Sequence, residues 1–323
     1  MLQALKPTAR CKTPISTVAF SADGSRYLWA GGSPGEECSL VVSDVSSNKV
    51  VWKVSEHRKP VVRARFLSDG SLVSMSFDSH ICHWSPAGEL SASNNVRLSD
   101  RADGFAVTND GKLAVIGDYR GGISGWNART GSKVFTFQEN DRKLQIWSLA
   151  LSPDGKRLIS GGAGGKIRIW NVAKQTLESD IDLGWGHHVQ GLAFHPDGER
   201  FVAAIALDGA AERGAKSRVL MYRASKGTLL ATLIPDGHQP FCCTLSPDGQ
   251  SVAAAGGGTD RGGSESKANC VIHVWDLDSA TETARLPGHS GLVRDLAFSP
   301  DGRCLLSAGW DETVRAWSLT DSK

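Results

Sequence analysis

One motif recurs seven times along this chain and constrains its fold more than any other feature. An apolar stretch runs into Ser-Pro-Asp-Gly or a close variant, and the copies end at Gly24, Gly70, Gly111, Gly155, Gly198, Gly249 and Gly302. Successive glycines lie 46, 41, 44, 43, 51 and 53 residues apart. Such a period is typical of architectures in which each repeat is a small unit that stacks on its neighbours. The 323 residues can therefore fold without one large core, which rarely grows beyond about 250–300 residues.

Each copy has the pattern of four short strands. The apolar stretch forms the first strand, and the Pro and Gly that follow suit a type I turn. A second strand comes next, then a third that ends near an aromatic residue such as Trp170, Trp275 or Trp317, and then a short fourth. Four short antiparallel strands repeated seven times predict an all-β fold, a seven-bladed β-propeller of four-stranded blades. We expect residues 1–323 to form this single domain.

Two copies carry His, Ser, Asp and Trp at the same offsets, namely His57, Ser74, Asp78 and Trp84 in copy two and His289, Ser307, Asp311 and Trp317 in copy seven. These four residue types at fixed offsets resemble the WD-repeat family, and the resemblance covers essentially the whole chain. The resemblance implies a buried structural hydrogen-bond chain in each, from Asp through His and Ser to the Trp indole. The same residue types occur in catalytic triads. We favour the structural interpretation, because a closed chain inside a blade leaves no nucleophile exposed to a substrate.

The ends of the sequence predict how the ring closes. The last copy stops after its third strand, at Leu319, whereas the segment LQAL (2–5) before copy one resembles TARL (283–286), the fourth strand of copy six. We therefore expect residues 2–6 to complete the last blade, whose other strands lie within about 291–319. Such a clasp removes two open sheet edges.

Three long loops are predicted on one face of the propeller. Because strands alternate in direction, the turns between second and third strands lie at the same end as the blade-to-blade connections, and we call this end the top face. The distance from the turn glycine to the third-strand aromatic is 14 or 15 residues in four copies but 24 and 26 in copies five and six, and it is 19 in copy one, where Ser43 takes the place of the aromatic. The extra residues lie in 32–37, 207–216 and 256–269. Any one of them can be a tolerated insertion, but three around one tight turn indicate a binding site.

That tight turn carries Trp310, which we predict to anchor a partner. Trp, Tyr and Arg dominate interface hot spots because they bury large areas at little entropic cost. The other candidates lie in top turns, long loops or connections of other copies: Trp185, Phe77, Tyr119, Arg120, Asp260, Arg261 and Arg213.

Two arginines stand out on the first strand of copy two. Five positions before the turn glycine the other copies have Ala or Thr, as expected where blades crowd around the axis, but copy two has Arg65, with Arg63 on the same side of the strand. One interpretation is that the stems pack while the charged heads reach water in the central channel. The other is that they hold an anion or an acidic side chain near the axis.

Composition and motif context argue against several classes of function. The 36 basic and 34 acidic residues give a net charge of +2, so we expect neither a nucleic-acid nor a membrane partner. No apolar run approaches the roughly 20 residues of a membrane helix, and the first ten residues lack the apolar core of a signal peptide. The seven cysteines include no C-x-x-C pair and indicate free thiols in a reducing compartment. We therefore expect a cytoplasmic monomer.

Patterns that resemble catalytic or metal sites lack the required context. Ser33 lies in G-x-S-x-G, yet a strand rather than a helix follows it. The glycine-rich segment 161–167 lacks the spacing of a phosphate loop. His80 and Cys82 would need further metal ligands from neighbouring segments. The sequence predicts no catalytic residue, no cofactor and no metal.

Two classes of function remain, and the first is favoured. It is a non-enzymatic scaffold that binds a protein or peptide on the top face, as the WD-repeat resemblance implies. The alternative is an enzyme or small-ligand binder that uses the central channel, which would need several acids, histidines or a metal at the axis. The positions seven residues before the turn glycines contain one acid, Asp295, and no histidine. The sequence does not identify the partner.

Overall fold

The computed structural model describes residues 9–96, 101–138, 144–208, 216–235, 239–259, 265–266 and 270–319. Every helix or strand assigned within these residues is a β-strand, and the strands form seven antiparallel sheets. Each sheet contains four strands in chain order, except that the sixth has an additional short strand and the last takes its fourth strand from the N-terminal side of the chain. The predicted seven-bladed propeller is confirmed.

The strands of blades one to four are, in chain order, β2 (Ile15–Phe20), β3 (Arg26–Gly31), β4 (Leu40–Asp44) and β5 (Val50–Val54); β6 (Val61–Phe66), β7 (Leu72–Ser76), β8 (His80–Trp84) and β9 (Leu90–Asn95); β10 (Ala102–Val107), β11 (Ala114–Asp118), β12 (Gly122–Trp126) and β13 (Lys133–Gln138); and β14 (Ile146–Leu151), β15 (Arg157–Gly162), β16 (Lys166–Asn171) and β17 (Thr176–Asp182). Blades five to seven comprise β18 (His187–Phe194), β19 (Arg200–Leu207), β20 (Arg218–Arg223) and β21 (Thr228–Leu233); β22 (Gln239–Leu245), β23 (Ser251–Thr259), β25 (Ile272–Asp276) and β26 (Thr281–Leu286), with β24 (Glu265–Ser266) paired to β23; and β27 (Val293–Phe298), β28 (Cys304–Gly309), β29 (Thr313–Ser318) and β1 (Ala9–Arg10).

The repeated turn and the packing between blades explain why this sequence forms a ring. All seven turn glycines have φ between 69° and 79°, the left-handed region that favours glycine. The first strands of neighbouring blades contact each other around the axis. Each of the seven hydrophobic clusters joins two adjacent blades, as the cluster of Leu28 and Val42 with Leu72 and Trp84 does for blades one and two. The apolar core is therefore divided among seven inter-blade layers.

The ring closes with an N-terminal strand, as predicted, but the described strand lies later in the chain. Ala9 pairs with Val314 and Arg10 with Thr313 in antiparallel register. In blade six, Ile272 occupies the position equivalent to Val314, and its partner is Leu286. Ala9 therefore takes the place that the alignment of LQAL with TARL gave to Leu5, four residues earlier. Residues 2–6 themselves lie outside the described part, and their place in the last blade stays a prediction.

The long segment 256–269 is partly strand rather than wholly loop. Strand β23 continues to Thr259, and its end pairs with β24 through Gly258 opposite Ser266 and Thr259 opposite Glu265. The flanks of the insertion thus extend the hairpin of blade six by a short ribbon. Residues 260–264, 267–269 and 209–215 lie outside the described part, and so do the predicted contact residues Asp260, Arg261 and Arg213.

Candidate functional site

Backbone hydrogen bonds define the top face. The Phe77 N–H donates to the Pro60 carbonyl, at 3.1 Å. Equivalent bonds of 2.9 Å join Tyr119 to Arg101 and Trp310 to Leu292 in blades three and seven. Each bond ties a turn between second and third strands to the connection that enters the same blade. The turns and the connections therefore lie at one end of the ring.

The two most exposed aromatic side chains of the described residues lie on this face. Trp185, in the connection between β17 and β18, is 75% exposed, and Trp310, in the tight turn between β28 and β29, is 44% exposed. The guanidinium carbon of Arg294 lies 5.8 Å from the centroid of the Trp310 ring. Trp185 is separated from blade seven by blades five and six. These two candidates thus mark different sectors of the top face.

Phe77 and Tyr119 form a separate group around Arg101. The guanidinium carbon of Arg101 lies 4.1 Å from the Phe77 ring centroid and 5.5 Å from that of Tyr119. The Tyr119 hydroxyl donates to Asp103 Oδ2, at 2.5 Å. Burial and the charge of Asp103 raise the pKa of Tyr119, so its hydroxyl keeps its proton. Arg120, the next residue in the turn, is exposed.

Arg65 is paired with an acidic side chain of this same chain. Its Nη1 and Nη2 donate to the two carboxylate oxygens of Asp295, at 3.0 and 3.3 Å. Asp295 also accepts from the hydroxyl of Thr17 at 2.8 Å and from the backbone N–H of Val18 at 3.1 Å. Burial opposes the negative charge, but Arg65 and Arg63 lower the pKa of Asp295. Of the two interpretations of these arginines, the second applies to Arg65, which holds an acidic side chain near the axis. The contacts of Asp295 connect blades one, two and seven.

Arg63 lines the same channel with different partners. Its Nη1 donates to the carbonyls of Ser16, at 3.0 Å, and of its neighbour Val62, at 3.1 Å. It forms no ion pair within the part of the chain that the structure describes. The cavity at this level has a volume of about 60 Å³, and its lining includes Arg63, Arg65, Asp103, Trp147, Gln190 and Phe241.

A bulge in every first strand creates this lining, and the sequence analysis missed it. The register of each first strand shifts at the residue eight positions before the turn glycine. Bulges re-aim side chains and are frequent next to functional sites. The skipped residues are Ser16, Val62, Asp103, Trp147, Gln190, Phe241 and Arg294. A signal existed, because this position varies from copy to copy in chemistry and size, whereas the position before it is mostly Ile or Val and the position after it is mostly small.

The structural hydrogen-bond chains are closed in blades two and seven. In blade two, Ser74 Oγ accepts from Trp84 Nε1 at 2.8 Å and lies 2.8 Å from His57 Nε2, whose Nδ1 lies 3.1 Å from Asp78 Oδ2. In blade seven the corresponding distances are 2.9, 2.7 and 2.9 Å. Burial disfavours charge, but the mutual hydrogen bond raises the pKa of His57 to about 9 and lowers that of Asp78. Both serines are 0% exposed, so neither can act as a nucleophile on a substrate here.

Blade three caps its tight turn from another position. The residue that matches Asp311 is Arg120, and instead Asp118, at the end of β11, accepts from the backbone N–H groups of Arg120 at 2.9 Å and Gly122 at 2.8 Å. In blade seven Asp311 accepts from Ser290 and Thr313 and also from His289. The carboxylate of blade seven thus links a turn, a blade connection and a buried histidine.

We expect Asp311→Ala to lower the free energy of unfolding by about 1–3 kcal/mol, because it leaves buried donors of His289 and the turn without an acceptor. Asp118→Ala should cost less, since that carboxylate has no matching His in its blade. Thermal or urea denaturation of both variants would measure the difference. An Asp311→Ala protein as stable as the wild type would contradict the structural role.

The described residues contain no group of three or more His, Cys, Asp or Glu side chains that could hold a metal ion. Nor do they contain a helix long and apolar enough to cross a membrane.

Comparison with known proteins points to one family. A family model described as "WD domain, G-beta repeat" matches residues 131–171 and 280–318. Each stretch begins with the fourth strand of one blade and ends with the third strand of the next. Because a repeat of this kind ends with a third strand, the last blade takes its fourth strand from the N-terminal side of the chain.

Curated relatives match more of the chain. Cell division cycle 20.1, cofactor of APC complex, of Arabidopsis thaliana is 23% identical over 94% of this chain and 61% of its own length. A Periodic tryptophan protein 2 homolog of Dictyostelium discoideum is 25% identical over 68% of this chain and 22% of its own length. Periodic tryptophan protein 2 of Saccharomyces cerevisiae is 31% identical over 53% of this chain and 17% of its own length.

The chain thus spans less than two thirds of each of these relatives. Four observations point to the same family: the matched family model, the relatives, the seven four-stranded blades and the two closed His-Ser-Asp-Trp chains. This chain belongs to the WD-repeat family of β-propeller proteins.

Proposed function

We propose that the protein is a non-enzymatic scaffold that binds a protein or peptide partner on its top face. The similarity to WD-repeat proteins supports the interaction scaffold, because propellers of this family are generally non-enzymatic. One relative, Cell division cycle 20.1 of Arabidopsis thaliana, is named as a cofactor of the APC complex. The seven free thiols fit a reducing compartment, so we include a cytoplasmic location in the proposal.

One observation carries the choice of face. Trp310 exposes 44% of its surface although its backbone is held firmly. Its N–H donates to the Leu292 carbonyl at 2.9 Å, and the N–H of Glu312 closes the turn onto the Gly309 carbonyl at 3.2 Å. A large, exposed and rigid aromatic side chain loses little entropy when a partner covers it. Trp310 is therefore the best anchor on the top face.

The channel fits the alternative function less well. Its cavity of about 60 Å³ is far smaller than the roughly 300–1,000 Å³ of typical small-molecule sites. The polar groups of Asp295 and Arg65 are largely hydrogen-bonded to each other and to the backbone. An enzyme or small-ligand binder that uses the channel is therefore our second choice.

Trp310→Ala should weaken partner binding by about 2 kcal/mol or more, roughly thirtyfold, with little change in melting temperature. The partner would first be recovered by affinity purification from the native host with the wild-type protein as bait. The affinity of the identified partner would then be measured for both proteins, with Trp185→Ala as a matched variant from the other sector. If Trp310→Ala lowered the melting temperature and left the affinity unchanged, the proposed anchor would be wrong.

A further inference from the structure

Arg294 carries a guanidinium group beside the channel, because the next residue in the chain, Asp295, lines the channel cavity. Arg294 occupies the bulge position of β27 in blade seven. Its positive charge acts on Arg63, Tyr119 and Cys242, which belong to blades two, three and six, so the group lies within electrostatic range of the channel lining. It makes no hydrogen bond and no ion pair with the residues for which the structure gives positions. The Trp310 ring, 5.8 Å from the guanidinium carbon, lies beside it.

Arg63 directs a second guanidinium group toward the same space. Its Nη1 is committed to the carbonyls of Ser16 and Val62, which fixes the orientation of the group. The other nitrogens have no ion-pair partner among the described residues, and the side chain lines the channel cavity. A ligand that enters the mouth therefore meets a pre-oriented donor.

The charge balance at the channel mouth favours an anion. Three guanidinium groups, of Arg63, Arg65 and Arg294, face two carboxylates, of Asp103 and Asp295. Asp295 neutralises Arg65, whereas Asp103 accepts from the neutral hydroxyl of Tyr119. Asp103 remains the one feature that would favour a cation, because its buried Oδ1 has no hydrogen-bond partner within the described residues. The two arginines that have no ion-pair partner among the described residues, Arg63 and Arg294, outweigh it, since a cationic ligand would have to approach both of them.

We propose that the partner presents an Asp or Glu side chain, whose carboxylate enters the channel mouth between Arg63 and Arg294 while an adjacent apolar residue packs on Trp310. This inference rests on the proposed function and names the chemistry of the partner. Guanidinium groups bind carboxylates through paired, charge-assisted hydrogen bonds. The mouth is partly shielded from water, which strengthens such bonds relative to a flat surface.

The test uses a displayed random-peptide library selected on the purified wild-type protein. Binding of the enriched peptides would be measured by fluorescence polarisation. We expect these peptides to share one acidic position, and replacing that carboxylate by its amide should weaken binding tenfold or more, roughly the effect of losing charged hydrogen bonds. Arg294→Gln should weaken binding to a similar extent, and Arg294→Lys should retain part of the affinity.

Two further variants sharpen the comparison. Arg223→Gln removes the same charge from an exposed residue at the far end of β20, and it should leave the affinity unchanged. Arg63→Gln should also weaken binding, but it breaks two hydrogen bonds to the backbone and can destabilise the fold. The melting temperature of Arg63→Gln would be measured alongside its affinity, to separate weaker binding from loss of folded protein. Arg294→Gln needs no such correction, because it removes no hydrogen bond with a described residue.

The outcomes separate the two proposals. Enriched peptides that lose affinity on Trp310→Ala but show no acidic preference, and bind Arg294→Gln as well as the wild type, would overturn this inference and leave the top-face function standing. Peptides that share a basic residue instead would also overturn it, and would point to Asp103. A library that yields no Trp310-dependent peptide would contradict the proposed function and the inference together.

Discussion

Deleting residues 1–10 should open the ring and lower the free energy of unfolding by about 3 kcal/mol or more. The deletion removes β1, so that β29 becomes an exposed sheet edge with unpaired backbone groups. It also removes Ala9 from the hydrophobic cluster between blades seven and one, and so uncovers Val314, which is buried in the complete protein. Open edges promote pairing with other chains, so the truncated protein should also aggregate more readily.

Thermal denaturation and light scattering of the truncated protein would measure both effects. Arg10→Ala is the matched control, because it removes an exposed side chain but leaves the backbone of β1 in place. Deleting only residues 1–8 would show how much of the clasp lies before Ala9. A melting temperature unchanged by the 1–10 deletion would mean that the clasp does not stabilise the ring.

Asp295→Ala should cost about 2–3 kcal/mol of unfolding free energy. Removing one partner of a buried ion pair typically costs about 3–5 kcal/mol because the other charge is left uncompensated. The lower figure applies here because the Arg65 side chain is 36% exposed and can recover some hydration, whereas that of Asp295 is only 8% exposed. The variant also leaves the Thr17 hydroxyl and the Val18 N–H without their acceptor.

A double variant distinguishes the lost pair from a packing defect. If Arg65 is left without an acid in Asp295→Ala, then Arg65→Met combined with Asp295→Ala should recover part of the lost stability, since buried pairs can often be replaced by apolar residues at little cost. Urea denaturation of the single and double variants would give the coupling energy. A double variant no more stable than Asp295→Ala would show that packing around Asp295, rather than its charge, is what matters.

Much of the candidate site could be placed from the sequence, although not how its members group. Offsets within the repeat are enough to place Trp310, Phe77, Tyr119 and Trp185 in top turns or blade connections. Offsets could not show that Phe77 and Tyr119 enclose Arg101, or that Trp185 lies in another sector from Trp310. Nor could they show that Asp118 caps its turn, because this depends on the direction of a side chain at the end of β11.

The sequence by itself determined the number of blades, the order of strands and the registers of the two buried hydrogen-bond chains. Each of these is local information, carried by turn glycines with positive φ, by short apolar strands and by residues at fixed offsets within one repeat.

Only the tertiary structure decided what lies at the axis. Strict alternation along the first strands predicted one set of channel residues, but a bulge in every first strand turns a further residue, such as Asp103 or Trp147, into the channel lining. Arg65 finds its acid 230 positions away at Asp295, because closing the ring places the last blade beside the first. Contacts of this kind arise between blades, where no repeat pattern records which side chains will meet.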